Sequence, residues 1–290
     1  MRLLRRRALL STIPALRAAP ARAGAPRVVP LDFGLAETLL ALGVVPVGLP
    51  GPPYYRQWVI DPLLPDGVVD VGQRTQPNLE LLAALAPDAI LTIPEHDPIL
   101  PQLRSIAPVL RVPIYTPQQR PWDRSAEAAR AMGAWLDRAG AAEQLVAAVE
   151  GRYAAARAEL AGKQVRPLLL ASFTDPRHLR VYGAGSILQA GLDQLGLQNA
   201  WSGRTGIWGS ATVGLDALAP LENAALFTID PQPPDLAAVL DASPLWRALP
   251  FVRARRVFTL PPVLMFGTLP AANRFAALLP PRLTGPALLA

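Results

Sequence analysis

Two histidines, His96 and His178, are the side chains best suited to acid-base or metal chemistry, and neither stands at a spacing that a metal centre or catalytic triad requires. Glu95-His96-Asp97 offers three donors in succession. Adjacent residues do not easily converge on one ion, and His/carboxylate centres draw their ligands from several segments. His178 closes Asp175-Pro-Arg-His178, which reads as a turn entering a strand. There is no Gly-x-Ser-x-Gly elbow and no phosphate-cradling glycine loop, and Lys163 is the sole lysine. The chain is therefore read as having no catalytic residues and no metal ligands of its own. Recognition chemistry is better represented. Tyr54-Tyr-Arg-Gln-Trp58, Asp70-Val-Gly-Gln-Arg74-Thr-Gln-Pro-Asn78 and the glycine-rich stretch from Asn199 to Ser210, with Trp201 and Trp208, combine rings, amides and a fixed cation. Each ring taken singly suits a core; together, in glycine-rich loops, they suit a ligand cleft.

These segments need a scaffold. Short aliphatic runs alternate with helical patterns, the mark of an α/β fold with largely parallel sheets. Strands are expected at Arg27 to Pro30, Val44 to Gly48, Asp88 to Ile93, Pro108 to Val112, Pro167 to Ala171, Ala225 to Ile229 and Arg256 to Leu260. Helices are expected at Leu35 to Leu42, Leu79 to Leu85, Pro98 to Ser105, Ser186 to Leu195, Leu215 to Leu218 and Leu269 to Leu278. Between the two groups lie longer helical patterns, Ser125 to Arg138 and Ala141 to Leu160. In the second, Leu145, Val149, Tyr153, Ala156 and Leu160 recur every three or four residues as one apolar stripe. At 1.5 Å per residue this helix would reach ~30 Å, a length suited to a rigid spine between two lobes or to a plain helix on one sheet. A weak internal echo, Asn78 to Ile93 against Gly214 to Ile229, puts Glu80 and Asp216 at corresponding helix starts, where the helix dipole favours an acid.

Composition bounds the alternatives. The 290 residues are 51% hydrophobic with no cysteine, which excludes disorder and a disulfide scaffold. No stretch approaches the ~20 apolar residues that span a bilayer. The formal charge of +6 is concentrated at the start: six of the 28 basic residues, all Arg, precede Gly24 with no acid among them, and the remaining 22 match 22 acids. The body of the protein is formally neutral and offers no counterion-releasing surface for nucleic acid. Residues 1–23 read as an export signal: Arg5-Arg-Arg7, a weakly apolar run from Ala8 to Leu16, and Ala21-Arg-Ala23 before Gly24. The arginines resemble a twin-arginine signal, with an ordinary Sec signal as the alternative. With no cysteine for lipid attachment, a free periplasmic protein is expected.

Arg27 to Phe33, Glu37 to Gly43, Tyr55 to Trp58, Asp70 to Glu80, Arg166-Pro-Leu-Leu-Leu, Asp175 to His178, Asn199-Ala-Trp201, Trp208-Gly-Ser210 and Pro244 to Ala254 together resemble the periplasmic ferric hydroxamate (ferrichrome-type) siderophore-binding proteins of ABC transporters. The likeness runs in order through nearly the whole mature chain. It implies a helical-backbone, class III periplasmic binding protein: an N-terminal lobe over residues 24–138, a connecting helix over 139–163, a C-terminal lobe over 164–290 and a shallow cleft between the lobes. The implied function is capture of an iron(III) siderophore and its delivery, as a monomer, to an inner-membrane permease. Iron would arrive already coordinated by hydroxamates, so no cofactor is needed. By resemblance Arg74 hydrogen-bonds hydroxamate oxygens, a charge-assisted contact, and Trp58 and Trp208 line the pocket, with Ser210 beside them. Glu80 and Asp216 meet arginines of the permease. The departures are His96 in place of a tyrosine donor, Phe33 in place of a tryptophan, and Leu264 and Phe266 in place of a tryptophan and a tyrosine. These replace polar donors with apolar wall and suggest a hydroxamate other than ferrichrome. The same resemblance makes His96 a ligand contact that a proton would strengthen. The competing readings are another chelate in the same fold (cobalamin, haem or a catecholate), an exported enzyme, and a structural protein.

Overall fold

The computed structural model describes residues 25–283, 285, 288 and 289, so the expected export signal lies outside the described residues. The N-terminal half runs β1 (Val28–Pro30), α1 (Phe33–Ala41), β2 (Gly48–Leu49), α2 (Pro52–Trp58), β3 (Val69–Asp70), α3 (Leu79–Ala84), β4 (Ala89–Thr92), a 3-10 segment (Pro94–Ile99), α4 (Leu100–Ile106) and β5 (Val109–Arg111). Two longer helices follow, α5 (Pro121–Trp135) and α6 (Ala139–Leu160). The C-terminal half begins with β6 (Leu168–Asp175), β7 (His178–Tyr182), α7 (Ile187–Leu195), β8 (Ser210–Gly214), a 3-10 segment (Leu215–Leu218) and β9 (Ala225–Ile229). It ends with α8 (Leu236–Ala242), α9 (Pro244–Ala248), α10 (Pro250–Arg253), β10 (Val257–Leu260), α11 (Leu269–Leu278) and a 3-10 turn (Pro280–Arg282).

The strands form two main sheets. In the first, β1-β4-β5, every pair is parallel; β2 and β3 make a separate parallel pair. The second has the order β10-β9-β6-β7-β8. The expectation of largely parallel sheets holds for five of the seven strand pairings among the described residues, the exception being β7, which runs antiparallel to both β6 and β8. The cause is local. Asp175 Oδ1 accepts the N–H groups of Arg177 at 2.7 Å and His178 at 3.0 Å, an Asx turn that reverses the chain into a hairpin. His178 does enter a strand, as expected.

Other expectations shift for identifiable reasons. The strand expected at Val44 to Gly48 is only Gly48–Leu49, since Pro46 lacks the N–H a ladder needs. Tyr54 to Trp58 belongs to α2, whose first turn carries Pro52 and Pro53 where missing N–H groups cost nothing. The helix expected at Pro98 to Ser105 is divided between the 3-10 segment and α4, and that at Leu215 to Leu218 is 3-10 rather than α. α5 starts at Pro121 and stops at Trp135, with Asp137 in the left-handed region (φ 56°) beyond it. Strands β7 and β8 and helices α8 to α10 were not expected.

The long helix α6 has 22 residues, and Ala142, Val146, Val149, Tyr153, Ala156 and Leu160 form its buried stripe. Val146 takes the place expected for Leu145, which is half-buried. The stripe packs on α5, α7 and α11. Tyr153 also donates its hydroxyl to Ala272 O at 2.9 Å, satisfying a polar group that burial would otherwise leave costly. The largest core passes through both halves, joining Ala36, Leu49 and Tyr55 to Leu168, Phe227 and Phe275. Helix α11, from the C-terminal half, packs on α1 of the N-terminal half. The echo survives in part. β4 is central in the first sheet, β9 lies inside the second, and Glu80 and Asp216 are exposed in the first turns of the short helical segments preceding them.

Candidate functional site

Parallel strands deliver their carboxyl ends to one edge, and in α/β sheets that edge is where ligands bind. Asp32 follows β1, Ile93, Pro94 and Glu95 follow β4, and Ile114 and Tyr115 follow β5; all of them line one cavity. The C-terminal half closes it with Ile207 and Trp208, ahead of β8, and Phe266, after β10.

Three rings make its apolar wall. Trp208 lies 4.8 Å from Tyr115 and 5.3 Å from Phe266, and Tyr115 meets Phe266 edge-on at 6.4 Å. Trp208 is placed by a tight loop in which Gly209 N–H donates to Gly206 O and Gly183 N–H donates to Gly209 O, both at 2.9 Å. Gly209 has φ 67°, and a Cβ there would fall 1.9 Å from Ser186 N, so the position admits only glycine. Tyr115 is buried and donates its hydroxyl to Gly267 O at 2.8 Å; burial raises its phenol well above the usual range. The hydroxyl is therefore a permanent donor and a link between the halves.

The cation is held by a built loop. Asp70 Oδ1 accepts the N–H groups of Gly51 and Gly72, each at 2.9 Å, and Gly72 pairs across the loop with Pro77. Asn78 then caps α3 through Leu81 N–H at 3.0 Å. Arg74, at the loop's tip, places Nη1 3.2 Å from Asp32 Oδ2 and 3.2 Å from Glu95 Oε2, with its guanidinium 5.9 Å from the Trp208 ring centroid. That is cation–π geometry. Across the wall the Arg180 guanidinium lies 5.5 Å from the Phe266 ring.

Of the ligand residues expected from the sequence, Trp208 and Phe266 line the cavity, and Arg74 is held at its wall by two carboxylates of the lining. His96, expected from the sequence as a ligand contact, is not among the residues lining the cavity. The side chain is buried, its Nδ1 accepts Ile93 N–H at 3.3 Å and its Nε2 donates to Arg74 O at 2.8 Å. Both ring nitrogens are thus committed to backbone, and His96 positions Arg74 instead of facing the cavity. Leu264 is buried in the main core, Trp58 packs against that core, and Phe33 meets Tyr55 edge-on at 5.5 Å. Ser210 opens β8 opposite Tyr182, and its carbonyl accepts Gly206 N–H at 3.0 Å. None of these four lines the cavity. Asp32, Glu95 and Tyr115 line the cavity without having been expected there from the sequence. The available signal was position, since Asp32, Glu95 and Tyr115 each follow a correctly expected strand.

A second polar junction lies behind the cavity. Glu37 of α1 is fully buried; its Oε1 accepts Thr268 N–H at 2.5 Å while Oε2 has no partner. Burial outweighs those hydrogen bonds and raises its carboxyl to about 8.

Comparison with known proteins places this geometry. Residues 28–264 match the family model described as "Periplasmic binding protein". The chain is 37% identical over 253 residues to the iron(3+)-hydroxamate-binding protein FhuD of Escherichia coli (strain K12), covering 87% of this chain and 85% of that protein. It superposes on the crystal structure of the siderophore-binding protein FhuD from Vibrio cholerae bound to Fe3+-Desferal with a TM-score of 0.83 and 31% identity, over 89% of this chain and 97% of that one. The triscatecholate siderophore-binding protein FeuA of Bacillus subtilis, with ferri-bacillibactin, shares the fold alone, at a TM-score of 0.68 and 16% identity over 87% of this chain and 90% of that one. Two sheets bridged by a long helix, a cavity at the carboxyl edge of the first sheet and a family match covering most of its length establish that this chain belongs to the periplasmic binding protein family.

Proposed function

We propose that the protein captures an iron(III)-hydroxamate siderophore in the periplasm and presents it to an inner-membrane ABC permease, as a binding protein with no catalytic step. The observation that carries this reading is the arginine stacked on a tryptophan at the wall of an aromatic cavity shared by both halves. Hydroxamate oxygens bound to iron carry negative charge and accept from a guanidinium, a bond contributing about 1.5 to 3 kcal/mol, while Trp208, Tyr115 and Phe266 pack on the chelate's carbon arms. Iron is cargo held by the ligand's own oxygens. The cavity volume is about 110 Å3, below the ~300 Å3 of ordinary small-molecule pockets, so a chelate would stand partly in solvent. The FhuD proteins of Escherichia coli and Vibrio cholerae support the hydroxamate class. Residues 24–138 and 164–290 would act as the two lobes and 139–163 as their connecting helix. Trp58, Phe33, Leu264 and Ser210 are then residues of the surrounding framework.

Titration of the protein beginning at Gly24 with ferrichrome, ferric desferrioxamine, coprogen, a ferric catecholate, haem and cobalamin, followed by tryptophan fluorescence, tests the reading. Saturable quenching by a hydroxamate, weakened tenfold or more by Arg74→Ala, is the expected result. Quenching by another chelate alone would move the substrate, and silence across the panel would remove the function. Exposed Glu80 and Asp216, one in each half, are the proposed permease contacts. Replacing both with Arg should leave ligand affinity unchanged and abolish stimulation of the permease's ATPase.

A further inference from the structure

On the part of the cavity wall that the N-terminal half supplies, one cation meets two anions. Arg74 Nη1 lies 3.2 Å from each of two carboxylates, Asp32 and Glu95. The two acids are not equivalent. Asp32 is buried and spends Oδ1 on the N-terminus of α1, accepting Gly34 N–H at 2.8 Å, so its charge serves the fold as well as Arg74. Glu95 has a side chain 35% exposed, stands on the cavity lining and makes no such cap. Its neighbour Asp97 is already neutralised by Arg111, at 2.6 and 2.8 Å. Arg74 with Asp32 alone would be a balanced pair, and Glu95 leaves the first-half wall with one net negative charge facing the ligand. Arg180, over Phe266 in the C-terminal half, makes no ion pair with this cluster among the described residues.

From this we infer that Glu95 is a specificity-determining residue that selects chelates by overall charge, favouring a ferric hydroxamate with a cationic arm over a neutral one and a neutral one over an anionic one. The inference rests on the proposed hydroxamate reading and narrows it. An anionic chelate must take Arg74 from two carboxylates and then face the surplus one. A chelate with a terminal ammonium gives Glu95 a replacement partner when the iron-bound oxygens engage Arg74. The charges then regroup as two pairs, and none is left desolvated and alone. Attraction between unit charges a few ångströms apart in a partly desolvated site is large enough to order ligands in this way, and salt weakens it.

The test holds the iron cage constant and changes only the arm. Ferric desferrioxamine B has a free ammonium, its N-acetyl derivative is neutral and its N-succinyl derivative is anionic; all three share one trihydroxamate. Dissociation constants from tryptophan quenching should rank ammonium, acetyl, succinyl, with about tenfold or more between the first and last at low salt. The ratio should shrink at high salt. Glu95→Gln should reduce it to about threefold or less, and Glu95→Lys should reverse the order. Equal affinities in the wild type, or a ratio unaltered by both Glu95→Gln and salt, would overturn charge selection while leaving hydroxamate binding intact. Binding of none of the three would instead overturn the hydroxamate reading, and charge selection with it.

Discussion

Glu37 in α1 and Thr268 at the start of α11 meet across the two halves of the chain, with the Thr268 N–H donating to Glu37 Oε1 at 2.5 Å. The contact is fully buried and reinforced by the Thr268 hydroxyl, 3.0 Å from the same oxygen and 2.7 Å from the hydroxyl of Thr38. A titratable group thus sits in the packing that fixes one half against the other.

Its protonation should govern stability. With the native carboxyl raised to about 8 from an ordinary 4.5, the folded state holds a proton that the unfolded state has released throughout that window. Stability contributed by Glu37 is therefore fully present below pH 4.5, declines by up to about 1.4 kcal/mol per pH unit, and is lost once pH passes 8. Urea denaturation of wild type and Glu37→Gln across pH 5 to 8.5 should show the wild type losing stability relative to the variant as pH rises. Parallel curves would show that the carboxyl is ionised throughout.

Tyr115 provides the neighbouring link. Tyr115→Phe leaves the ring in the aromatic wall but strips the partner from Gly267 O, so stability should fall by about 1 to 2 kcal/mol. Ligand-dependent closure should remain small in the wild type, because α6 is continuous and α11 is packed on α1. Solution scattering with and without ligand checks this, and a rotation of tens of degrees would contradict it.

His96 acts through backbone. His96→Ala removes two buried bonds, from Ile93 N–H and to Arg74 O, and should cost about 2 to 4 kcal/mol. It should also weaken chelate binding by loosening Arg74. The positioning role is separated from mere destabilisation by the double variant with Arg74→Ala. If His96 works through Arg74, its loss weakens binding far less when Arg74 is already gone.

Gly209→Ala directs a methyl into the backbone at Ser186. The loop must shift and carry Trp208 away from Tyr115, so the variant should lose ligand-induced quenching and several degrees of Tm. Ala at Gly140, which has open space around it, is the control and should change neither.

Much of the architecture was legible because periodicity records burial. The stripe of α6 and the aliphatic runs of β1, β4, β6 and β9 are buried in apolar surroundings whatever the details of packing, so their spacing alone identifies them. The likeness of the Asp70 to Asn78 segment to its family was equally local: Asp70, Gly72 and Asn78 each perform a backbone task within nine residues of one another. The hairpin at Asp175, the strand β8 and the short helices α8 to α10 carry weaker periodic signals and were missed for that reason.

Which side chains line the cavity was decided only by tertiary structure. Arg74, Asp32 and Glu95 are separated by many residues and converge because parallel strands end at a common edge, an arrangement that long-range pairing decides. His96 and Glu95 are adjacent in sequence, yet one is buried against backbone and the other faces the cavity, since a 3-10 turn sends neighbours in different directions. Residue type announced that an arginine, some rings and some acids were available. Only the convergence of strand ends within the N-terminal half decided that two acids meet one arginine at the cavity wall.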